Sequence, residues 1–531
     1  MRKYISFAFV LLMAVSAYSQ GISSVQQRKL VQALSAISAM YVDTINDKKV
    51  IEASIRGVLE ELDPHSTYIP KEEVKRMHEP LEGSFDGIGV QFQIIKDTIN
   101  VVQTVSGTPA EKVGVQPGDK IIYIEKVLVA GIKIQNTDVF KRLRGKRGTP
   151  VNIRVKRGNT VELIDFKIIR DKIPIFSVDA SYMLTDKIGY IKINSFGTTT
   201  ADEFNKALKE LKAKGMKDLV LSLERNGGGF LKTSIDLADE FLPKNKLIVY
   251  TQGLNVPRSE ANSTAAGNFE TGRVVVLTDE FSASASEILS GALQDWDRGV
   301  IIGRRTFGKG LVQREVPLAD GSMMRLTVAR YYTPTGRSIQ KPYTNGAAKD
   351  YNKELDERFE KGEMMHLDSI HFPDSLKYNT LVARRTVYGG GGIMPDIFIP
   401  MDTTDNTLYH RKIVSKGVEN STMIEYLNKN REDLKNKYPA FETFNKTFEA
   451  DESLLKTLIS NAEKENIPFD EKDYNRSVNL IKLQLKAMVA NDLWNLNEYY
   501  TVINSDNESL KKAVEILTQK GVYEKILNLK K

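Results

Sequence analysis

The spacing of apolar residues changes along the chain and predicts the order of its elements. Two stretches near the start, residues 26–43 and 48–63, place apolar side chains at i, i+3 and i+4, which predicts two helices. The period changes to two in SFDGIGVQFQII, as a strand requires. From Ile188 onward, apolar runs alternate with helical patterns. This alternation indicates an α/β core of mainly parallel strands covered by helices.

The stretch from residue 84 to residue 172 predicts a small module of its own. Its motif GIGV contains two glycines where a loop turns its backbone amides toward one point, with no side chain in the way of a bound carboxylate. Together with GVQPGDKI and the helical pattern NTDVFKRLRG, the module resembles a PDZ domain. Such domains bind a peptide C-terminus as an added strand. The resemblance implies four peptide-binding residues: Gly87, Ile88, Gly89 and Val90.

Two interruptions of the strand and helix alternation carry chemically useful groups. The first is ERNGGGF, where the three glycines at residues 227–229 indicate backbone amides that approach a ligand closely. The second is SASAS, just before a predicted helix. Ser284 and Glu287 have capping-box spacing, and capping alone would account for this serine. A helix N-terminus, however, also offers unpaired amides and a positive dipole end to a developing oxyanion.

A serine hydroxyl becomes a good nucleophile only when a base takes its proton. No histidine stands near Ser284 in the sequence, whereas Lys309 follows in the motif TFGKGLVQ. A lysine buried beside apolar residues such as Phe307 has its pKa lowered toward the range in which it accepts a proton. Gln313, in the same motif, would orient the amine by a hydrogen bond. Serine and lysine are a known variant of the catalytic triad.

Several motifs in the same order are similar to those of the C-terminal processing (tail-specific) protease family of serine peptidases. They are SASASEILSGALQDW followed by GRRTFGKGLVQ, with NGGG upstream, IRGVLEELDPHSTYIPKEE before the PDZ module and VYGGGGIMPD after the core. The resemblance implies a crotonase/ClpP-like protease core with an inserted PDZ domain. It implies Ser284 as the nucleophile, Lys309 as the base and Gln313 beside them. The resemblance also implies an oxyanion hole formed by the backbone N–H of Ala285 and that of a glycine. Gly229 is the preferred glycine, and Gly228 is the alternative.

One departure from the family concerns the residues before the glycines. The family has Asp-Leu-Arg there, whereas this chain has Ser222, Leu223 and Glu224. The loss of both charges leaves a second hypothesis open, a non-catalytic PDZ scaffold on an inactive protease fold. A third hypothesis, an acyl-CoA enzyme of the crotonase type, fits the alternating core and the glycine loop. The predicted export and the PDZ module argue against it, because coenzyme A is a cytosolic ligand.

The patterns divide the chain into five parts. The predicted boundaries are residues 1–19 for a signal peptide, 20–83 for an N-terminal helical region, 84–172 for the PDZ domain, 173–402 for the protease core and 403–531 for a C-terminal helical region. Within the core, residues 343–384 form a polar insertion to which the sequence assigns no function. The apolar spacing of the last part predicts a helical bundle, whose exposed stripe would pair with a second subunit.

The N-terminus predicts the destination of the protein. Arg2 and Lys3 precede the apolar run YISFAFVLLMAVSA, which is followed by small residues at signal-peptidase spacing. This run is shorter than the roughly 20 apolar residues of a membrane anchor. Cleavage after Ser19 is therefore predicted, and the mature chain would be exported to the periplasm, the cell envelope or the medium.

Composition narrows the chemistry further. The absence of cysteine excludes disulfides, thiol nucleophiles and thiolate metal sites. The 75 basic and 68 acidic residues are spread along the chain, which argues against a nucleic-acid partner. No metal or organic cofactor is implied. The sequence thus predicts an exported serine endopeptidase that binds protein or peptide substrates through their C-termini, with a homodimer and an activating adaptor as further expectations.

Overall fold

The computed structural model of the protein describes residues 21–158 and 160–529. The signal peptide predicted for residues 1–19 lies outside the described residues. Within these two ranges, no helix is both long enough and apolar enough to cross a membrane.

The N-terminal region contains the two helices that the apolar spacing predicts, followed by a short strand and a third helix. Its elements are α1 (Ser24–Met40), α2 (Asp47–Glu60), β1 (Thr67–Ile69) and α3 (Lys71–Glu82). The side chain of Asn46 caps α2 by accepting a hydrogen bond from the Lys49 N–H. Strand β1 pairs with a strand of the α/β core. The turn before β1 is therefore held against that core.

The module predicted as a PDZ domain is a small antiparallel sheet with two helices. Its elements are β2 (Ser84–Gly87), β3 (Val90–Ile95), β4 (Thr98–Thr104), α4 (Pro109–Lys112), β5 (Lys120–Ile124), β6 (Val127–Leu128), α5 (Asn136–Leu143), β7 (Pro150–Lys156), β8 (Ile164–Ile169) and β9 (Asp171–Pro174). The main strand order is β3-β4-β5-β7-β8, so β3 lies at an edge. Alternate residues of β7 are buried, among them Val151 and Ile153, because one face of the sheet covers the core of the module.

The α/β core that follows contains most of the strands. Its elements are β10 (Val178–Met183), β11 (Ile188–Ile193), α6 (Thr200–Ala213), β12 (Asp218–Ser222), α7 (Leu231–Asp239), β13 (Leu247–Gln252), β14 (Ser259–Asn262), β15 (Val274–Thr278), α8 (Ala285–Asp295), β16 (Val300–Gly303), β17 (Leu311–Pro317), β18 (Met323–Tyr332), α9 (Ala348–Glu360), β19 (Lys377–Asn379), β20 (Thr386–Tyr388) and β21 (Ile397–Phe398). The strands and helices that the alternation predicts from β11 to β16 are all present, but the antiparallel strands β13 and β14, which it did not predict, stand between α7 and β15.

The central sheet has the order β10-β11-β12-β15-β16-β21. All neighbours from β11 to β21 are parallel, and β10 runs antiparallel to β11. Every residue of β11, β12, β15 and β16 is buried. Burial on both faces explains why these strands are largely apolar. A second sheet, in the order β1-β18-β13-β14 with β17 paired to β18, lies beside it.

The C-terminal region is helical, as predicted, but its helices pack in two different places. Its helices are α10 (Leu408–Ser415), α11 (Val418–Lys437), α12 (Phe441–Thr447), α13 (Glu452–Lys464), α14 (Glu471–Leu493), α15 (Leu496–Ile503), α16 (Glu508–Thr518) and α17 (Val522–Ile526). Helices α10 to α14 share one apolar core, which Val502 of α15 completes. The apolar face of α16, with Leu510, Ala513 and Leu517, instead packs on the central sheet. The chain itself therefore covers this second face of the sheet.

Candidate active site

Ser284 is the residue before α8, where the chain turns out of β15 into the helix. Its backbone has φ 55° and ψ −111°. This conformation costs a residue other than glycine on the order of 1–3 kcal/mol, so its surroundings must hold it. The side chain is partly buried and lines a cavity of about 810 Å³, which Lys309 and Gln313 also line. The structure thus brings the predicted nucleophile, base and amide to one cavity.

A fully buried carboxylate joins the backbone of the serine to that of the lysine. Glu287 accepts hydrogen bonds from the Ser284 N–H (2.8 Å), the Gly308 N–H (2.7 Å), the Lys309 N–H (2.9 Å) and the Thr306 hydroxyl (2.5 Å). Burial raises the pKa of Glu287 to about 7, and these four donors oppose the rise. Capping-box spacing predicts only the first of the four bonds, so the sequence did not reveal that Glu287 also holds the lysine loop.

Tyr331 of β18 makes a second connection between the same two residues. Its hydroxyl lies 2.5 Å from the Lys309 carbonyl oxygen and 3.2 Å from the Ser284 carbonyl oxygen. The residue is 1% exposed, so the phenol bonds these carbonyls without competition from bulk water. Glu287 and Tyr331 together fix the separation of the two backbones from two directions.

The Lys309 amine has the electrostatic surroundings that a general base needs. Burial is the largest cause that lowers the pKa of Lys309, and the positive charge of Arg325 lowers it further. The negative charges of Glu287 and Asp63 act in the opposite direction. Within the described ranges, the Ser284 hydroxyl and the Lys309 amine share the cavity without a hydrogen bond between them. Catalytic hydrogen bonds commonly form only once substrate is bound.

The glycine loop approaches the serine so closely that side chains would not fit. A Cβ atom on Gly228 would lie 2.8 Å from the Ala283 carbonyl oxygen and 2.8 Å from Ser284 Cβ. A Cβ atom on Gly229 would lie 2.3 Å from the Phe196 carbonyl oxygen. Both glycines also have positive φ angles, of 102° and 152°. Two of the three glycines are therefore required by geometry.

The amide groups of this loop differ in what they bond. The Gly228 N–H donates to Asn226 Oδ1 at 2.9 Å. Among the described residues, the N–H groups of Ala285 and Gly229 have no hydrogen-bond acceptor. Unsatisfied amides beside a serine are the donors that an oxyanion hole uses. The geometry therefore favours the pair Ala285 and Gly229 over Gly228 as donors.

The other two serines of SASAS have structural roles. Ser282 Oγ donates to the Leu223 carbonyl oxygen at 2.8 Å, and Ser286 Oγ donates to the Asn226 carbonyl oxygen at 2.8 Å. Both side chains are fully buried. They join the serine turn to the strand end and the loop that carry the glycines, which leaves Ser284 as the serine of the three that lines the cavity.

The departure at Ser222 and Glu224 is accommodated inside the fold. The Ser222 hydroxyl donates to the Glu224 carboxylate at 3.0 Å, and Asn507 of the C-terminal region donates to the same carboxylate at 3.2 Å. Burial raises the pKa of Glu224. The two residues pair with each other beneath the C-terminal helices, where β12 ends and a turn leads to the glycine loop.

The polar insertion proves to support the lysine loop. Arg358 of α9 is 4% exposed and donates to the carbonyl oxygens of Arg305 at 2.8 Å and Thr306 at 3.1 Å. Phe307 packs on Tyr351 of the same helix, with ring centroids 5.9 Å apart. The sequence placed Phe307 beside the Lys309 amine. In the structure, the apolar side chains that line the cavity with that amine include Leu311 and Tyr331.

One histidine lies near the lysine although the sequence assigned none a role. His65, in the motif DPHS, is hydrogen-bonded to the Tyr351 hydroxyl at 3.0 Å. Burial, and then the charge of Lys309, lower the pKa of His65 to about 4. Its imidazole is therefore neutral near pH 7.

In the two described ranges, no group of three or more metal-ligating side chains lies together.

The predicted peptide-binding loop of the PDZ module lies away from this cavity. Gly87 is the last residue of β2, Ile88 and Gly89 connect the two strands, and Val90 is the first residue of β3. The Gly89 carbonyl oxygen accepts from the Val105 N–H at 2.9 Å. Gly89 has φ 83°, and a Cβ atom there would lie 2.2 Å from Thr108 Oγ1. This loop, like the one beside Ser284, therefore requires a glycine.

Comparison with known families assigns most of the chain. Residues 187–352 match peptidase family S41, residues 87–168 match the PDZ domain, and residues 13–73 match the N-terminal domain of the activating protease CtpB. Residues 409–495 match a family of unknown function.

Three curated proteins illustrate the similarity. The carboxy-terminal processing protease CtpB of Bacillus subtilis is 37% identical over 59% of this chain and 65% of its own length. The carboxy-terminal-processing protease of Bartonella bacilliformis is 37% identical over 57% of this chain and 70% of its own length. The carboxy-terminal processing protease CtpA of Bacillus subtilis is 35% identical over 63% of this chain and 73% of its own length. The match thus spans just under two thirds of the first of these relatives.

Proposed function

The chain belongs to the carboxy-terminal processing proteases of peptidase family S41, and on that premise we propose that it is a serine endopeptidase that cleaves proteins near their C-termini. One observation supports the proposal above all others. Ser284 and Lys309 line the same cavity, and the buried Glu287 bonds the backbone N–H of each.

The chemistry uses groups of this chain alone. The neutral Lys309 amine takes the proton of the Ser284 hydroxyl as Oγ bonds to the scissile carbonyl carbon. The negative charge that develops on the carbonyl oxygen is bound by the N–H groups of Ala285 and Gly229. The Lys309 ammonium then gives its proton to the leaving amine. Lys309, neutral again, then takes a proton from a water molecule as the water oxygen bonds to the acyl carbon. The resulting ammonium gives this proton to Ser284 Oγ as the bond between Oγ and the acyl carbon breaks.

Gln313 orients the base in this scheme. Its side-chain oxygen accepts a hydrogen bond from the Lys309 ammonium and keeps the amine directed toward Ser284. Support comes from its place in the cavity that Lys309 also lines, and from its amide nitrogen, which donates to Thr327 Oγ1 at 3.4 Å and so leaves the amide oxygen without that partner.

The PDZ module would bind the substrate tail. Strand β3 is an edge strand, so its outer N–H and C=O groups are available to a peptide that adds as a further strand. The amides of Ile88, Gly89 and Val90 would bind the terminal carboxylate. A tail held there brings the preceding segment of the substrate to the protease core.

Export and pairing of subunits complete the proposal. The leader at residues 1–19 would be removed on secretion, so mass spectrometry of the exported protein should find Gln20 at its N-terminus.

Helix α1 has no buried residue, and Leu30, Val31 and Met40 are exposed on it. A second copy of the chain would cover these apolar side chains. Sedimentation of the mature protein, with Val31→Glu as the variant that weakens association, tests this pairing.

Covalent labelling tests the proposed nucleophile directly. A fluorophosphonate probe should label the wild-type chain, and mass spectrometry should place the adduct on Ser284. Ser284→Ala should abolish both labelling and hydrolysis of an unfolded protein. Ser286→Ala removes a neighbouring hydroxyl and should remain labelled. Hydrolysis by a folded Ser284→Ala variant at the wild-type rate would exclude the proposed mechanism.

A further inference from the structure

Gln313 reaches a buried carboxylate of the N-terminal region through one hydroxyl. Gln313 Nε2 donates to Thr327 Oγ1 at 3.4 Å, and Thr327 Oγ1 donates to Asp63 Oδ1 at 2.9 Å. Asp63 is 6% exposed and lies in the turn before β1. A line of hydrogen bonds therefore connects a residue outside the protease core to the active-site cavity.

The donors around Asp63 fix the direction of these bonds. The carboxylate accepts from the backbone N–H groups of His65 (2.8 Å) and Ser66 (2.9 Å), and also from the hydroxyls of Ser66 (2.5 Å) and Thr327 (2.9 Å). A carboxylate with four donors acts as an acceptor only. The single proton of the Thr327 hydroxyl must therefore point to Asp63.

This direction decides how the amide of Gln313 is turned. With its proton committed to Asp63, Thr327 Oγ1 has only lone pairs to offer Gln313. The NH₂ group of the amide can bond such an oxygen, whereas the amide oxygen would be repelled by it. The Gln313 oxygen is therefore directed away from Thr327. A hydroxyl without the carboxylate partner could donate or accept and would leave both orientations of the amide open.

The local backbone brings the two side chains together. In the pairing of β17 with β18, Val312 lies opposite Ala329 while Gln313 lies opposite Thr327. Val328 is thus an extra residue on β18, which makes a β-bulge. Bulges bend a strand and redirect the side chains beside them, and they are common next to active sites. Ser66 Oγ, which also bonds Asp63, accepts from the Thr327 N–H at 3.0 Å and holds the bulged strand in place.

We propose that Asp63 and Thr327 are positioning residues for the peptidase reaction: they hold the Gln313 amide with its oxygen toward Lys309. The inference rests on the proposed function, because it assumes that Lys309 is the base. The inference gives the turn DPHS of the N-terminal region a specific role in the active site. This turn lies far from Lys309 in the sequence, and its family match assigns it no such role.

Two substitutions of Thr327 provide the main test. Thr327→Val removes the hydroxyl at nearly constant volume and should lower kcat for a short peptide substrate about tenfold, with KM little changed, because the amide loses its fixed orientation. Thr327→Ser keeps the hydroxyl and should restore most of the activity. Thr457→Val, at an exposed threonine of α13, is the matched control and should behave as the wild type. Thermal melts should show all three variants folded.

A double substitution separates positioning from general support of the fold. If Thr327 acts through Gln313, Thr327→Val should add almost nothing to the loss caused by Gln313→Ala. A purely structural role would lower activity by the same factor in both backgrounds. Independent factors, or a Thr327→Ser variant as weak as Thr327→Val, would overturn the proposal.

The pH profile gives a readout that a merely structural role would not move. The charged groups that act on the Lys309 amine are Arg325 of β18, Glu287 of α8 and Asp63, and neutral His65 lies on the same turn as Asp63. Asp63→Asn removes a negative charge that raises the pKa of Lys309. The acidic limb of kcat/KM should move to lower pH while kcat falls. An unchanged limb together with full activity would overturn the proposal.

The outcomes also separate this inference from the proposed function. Labelling of Ser284 by a fluorophosphonate and loss of activity in Lys309→Ala test the dyad alone. If these hold while Thr327→Val keeps wild-type kcat, the positioning role is excluded and the peptidase stands. If Lys309→Ala is fully active, both proposals fail together.

Discussion

The molecule contains two glycine loops that present backbone amides, and they are held in different ways. Beside Ser284, the loop is bordered by buried side chains: Asn226 Oδ1 accepts from the Gly228 N–H, and Ser286 bonds the Asn226 carbonyl oxygen. In the PDZ module, the carbonyl oxygen of Gly89 is bonded by the Val105 N–H and by the Thr108 hydroxyl at 3.3 Å. The first loop is fixed inside the core, and the second lies at the end of an edge strand.

This difference fits the function proposed for each loop. A loop that stabilises a transition state gains from rigid donors, because reorganisation during the reaction costs catalytic rate. A loop that binds and releases peptide tails must leave the edge of β3 accessible. Changes near Ser284 should therefore reduce cleavage of every substrate, whereas changes in the PDZ loop should depend on whether the substrate carries a tail.

The largest effect is expected at Lys309. Lys309→Arg keeps a positive charge of similar length, but arginine does not lose its proton at usable pH. It should be as inactive as Lys309→Ala, with a loss of about 10³-fold or more for short peptides and proteins alike. In the wild type, activity should fall as the pH drops below the lowered pKa of Lys309, because the amine must be neutral to accept a proton. Initial rates of the wild type and of both variants, measured over a series of pH values, test the loss of activity and the pH dependence. Substantial activity of Lys309→Arg would contradict its role as base.

The next effect concerns the carboxylate that joins the two residues. Glu287→Gln replaces one acceptor oxygen with an NH₂ group that faces N–H donors, so the serine and the lysine lose part of their connection. A displacement of about 1 Å can cost about 100-fold in rate, and we expect a loss of this size in kcat. Loss of the negative charge should also move the acidic limb to lower pH, since Glu287 raises the pKa of Lys309. Wild-type kcat in this variant would show that the connection is not needed.

A smaller and substrate-dependent effect is expected in the PDZ loop. Gly89→Ala introduces a Cβ atom against Thr108 and should lower cleavage of proteins with intact C-termini about tenfold, while short peptides with blocked ends are cleaved as before. Gly107→Ala is the matched control, because Gly107 also has a positive φ, of 75°, but no atom lies within 4 Å of the added Cβ. Equal losses on both substrate types would remove the distinction between the two loops.

The smallest effect is expected at His65. The imidazole is neutral near pH 7, since its pKa is lowered to about 4. His65→Gln keeps a polar partner for Tyr351 and should change kcat by less than about threefold. A folded variant without activity, measured on the same short peptide, would instead indicate that an imidazole takes part in the chemistry.

The sequence predicted the elements of the core well because their patterns are local. Strands buried on both faces are largely apolar, so β11, β12 and β15 were recognisable from single runs. The glycines beside Ser284 were also readable, because close backbone approach excludes every other residue. The family resemblance then implied roles for Ser284, Lys309 and Gln313, and the structure places all three at one cavity.

Contacts between distant segments could not be read in the same way. From the sequence, Glu287 was predicted to cap a helix, the polar insertion to lie at the edge of the core and the last helices to belong to a helical bundle. In the structure, Glu287 bonds the lysine loop, Arg358 of the insertion bonds the same loop, and α16 covers the central sheet. Each of these roles depends on a partner far away along the chain, and a polar or amphipathic pattern does not name its partner.

The sequence by itself therefore determined the α/β core, the inserted PDZ module and the residue types available for catalysis, because periodicity and backbone geometry act over a few neighbouring residues. Only the tertiary structure decided the surroundings of those residues. The lowered pKa of Lys309 arises from burial and from the charge of Arg325, and the hydrogen bond from the Gln313 amide to Thr327 joins two different strands. The burial of a side chain and the charges around it depend on segments that come together only when the chain folds.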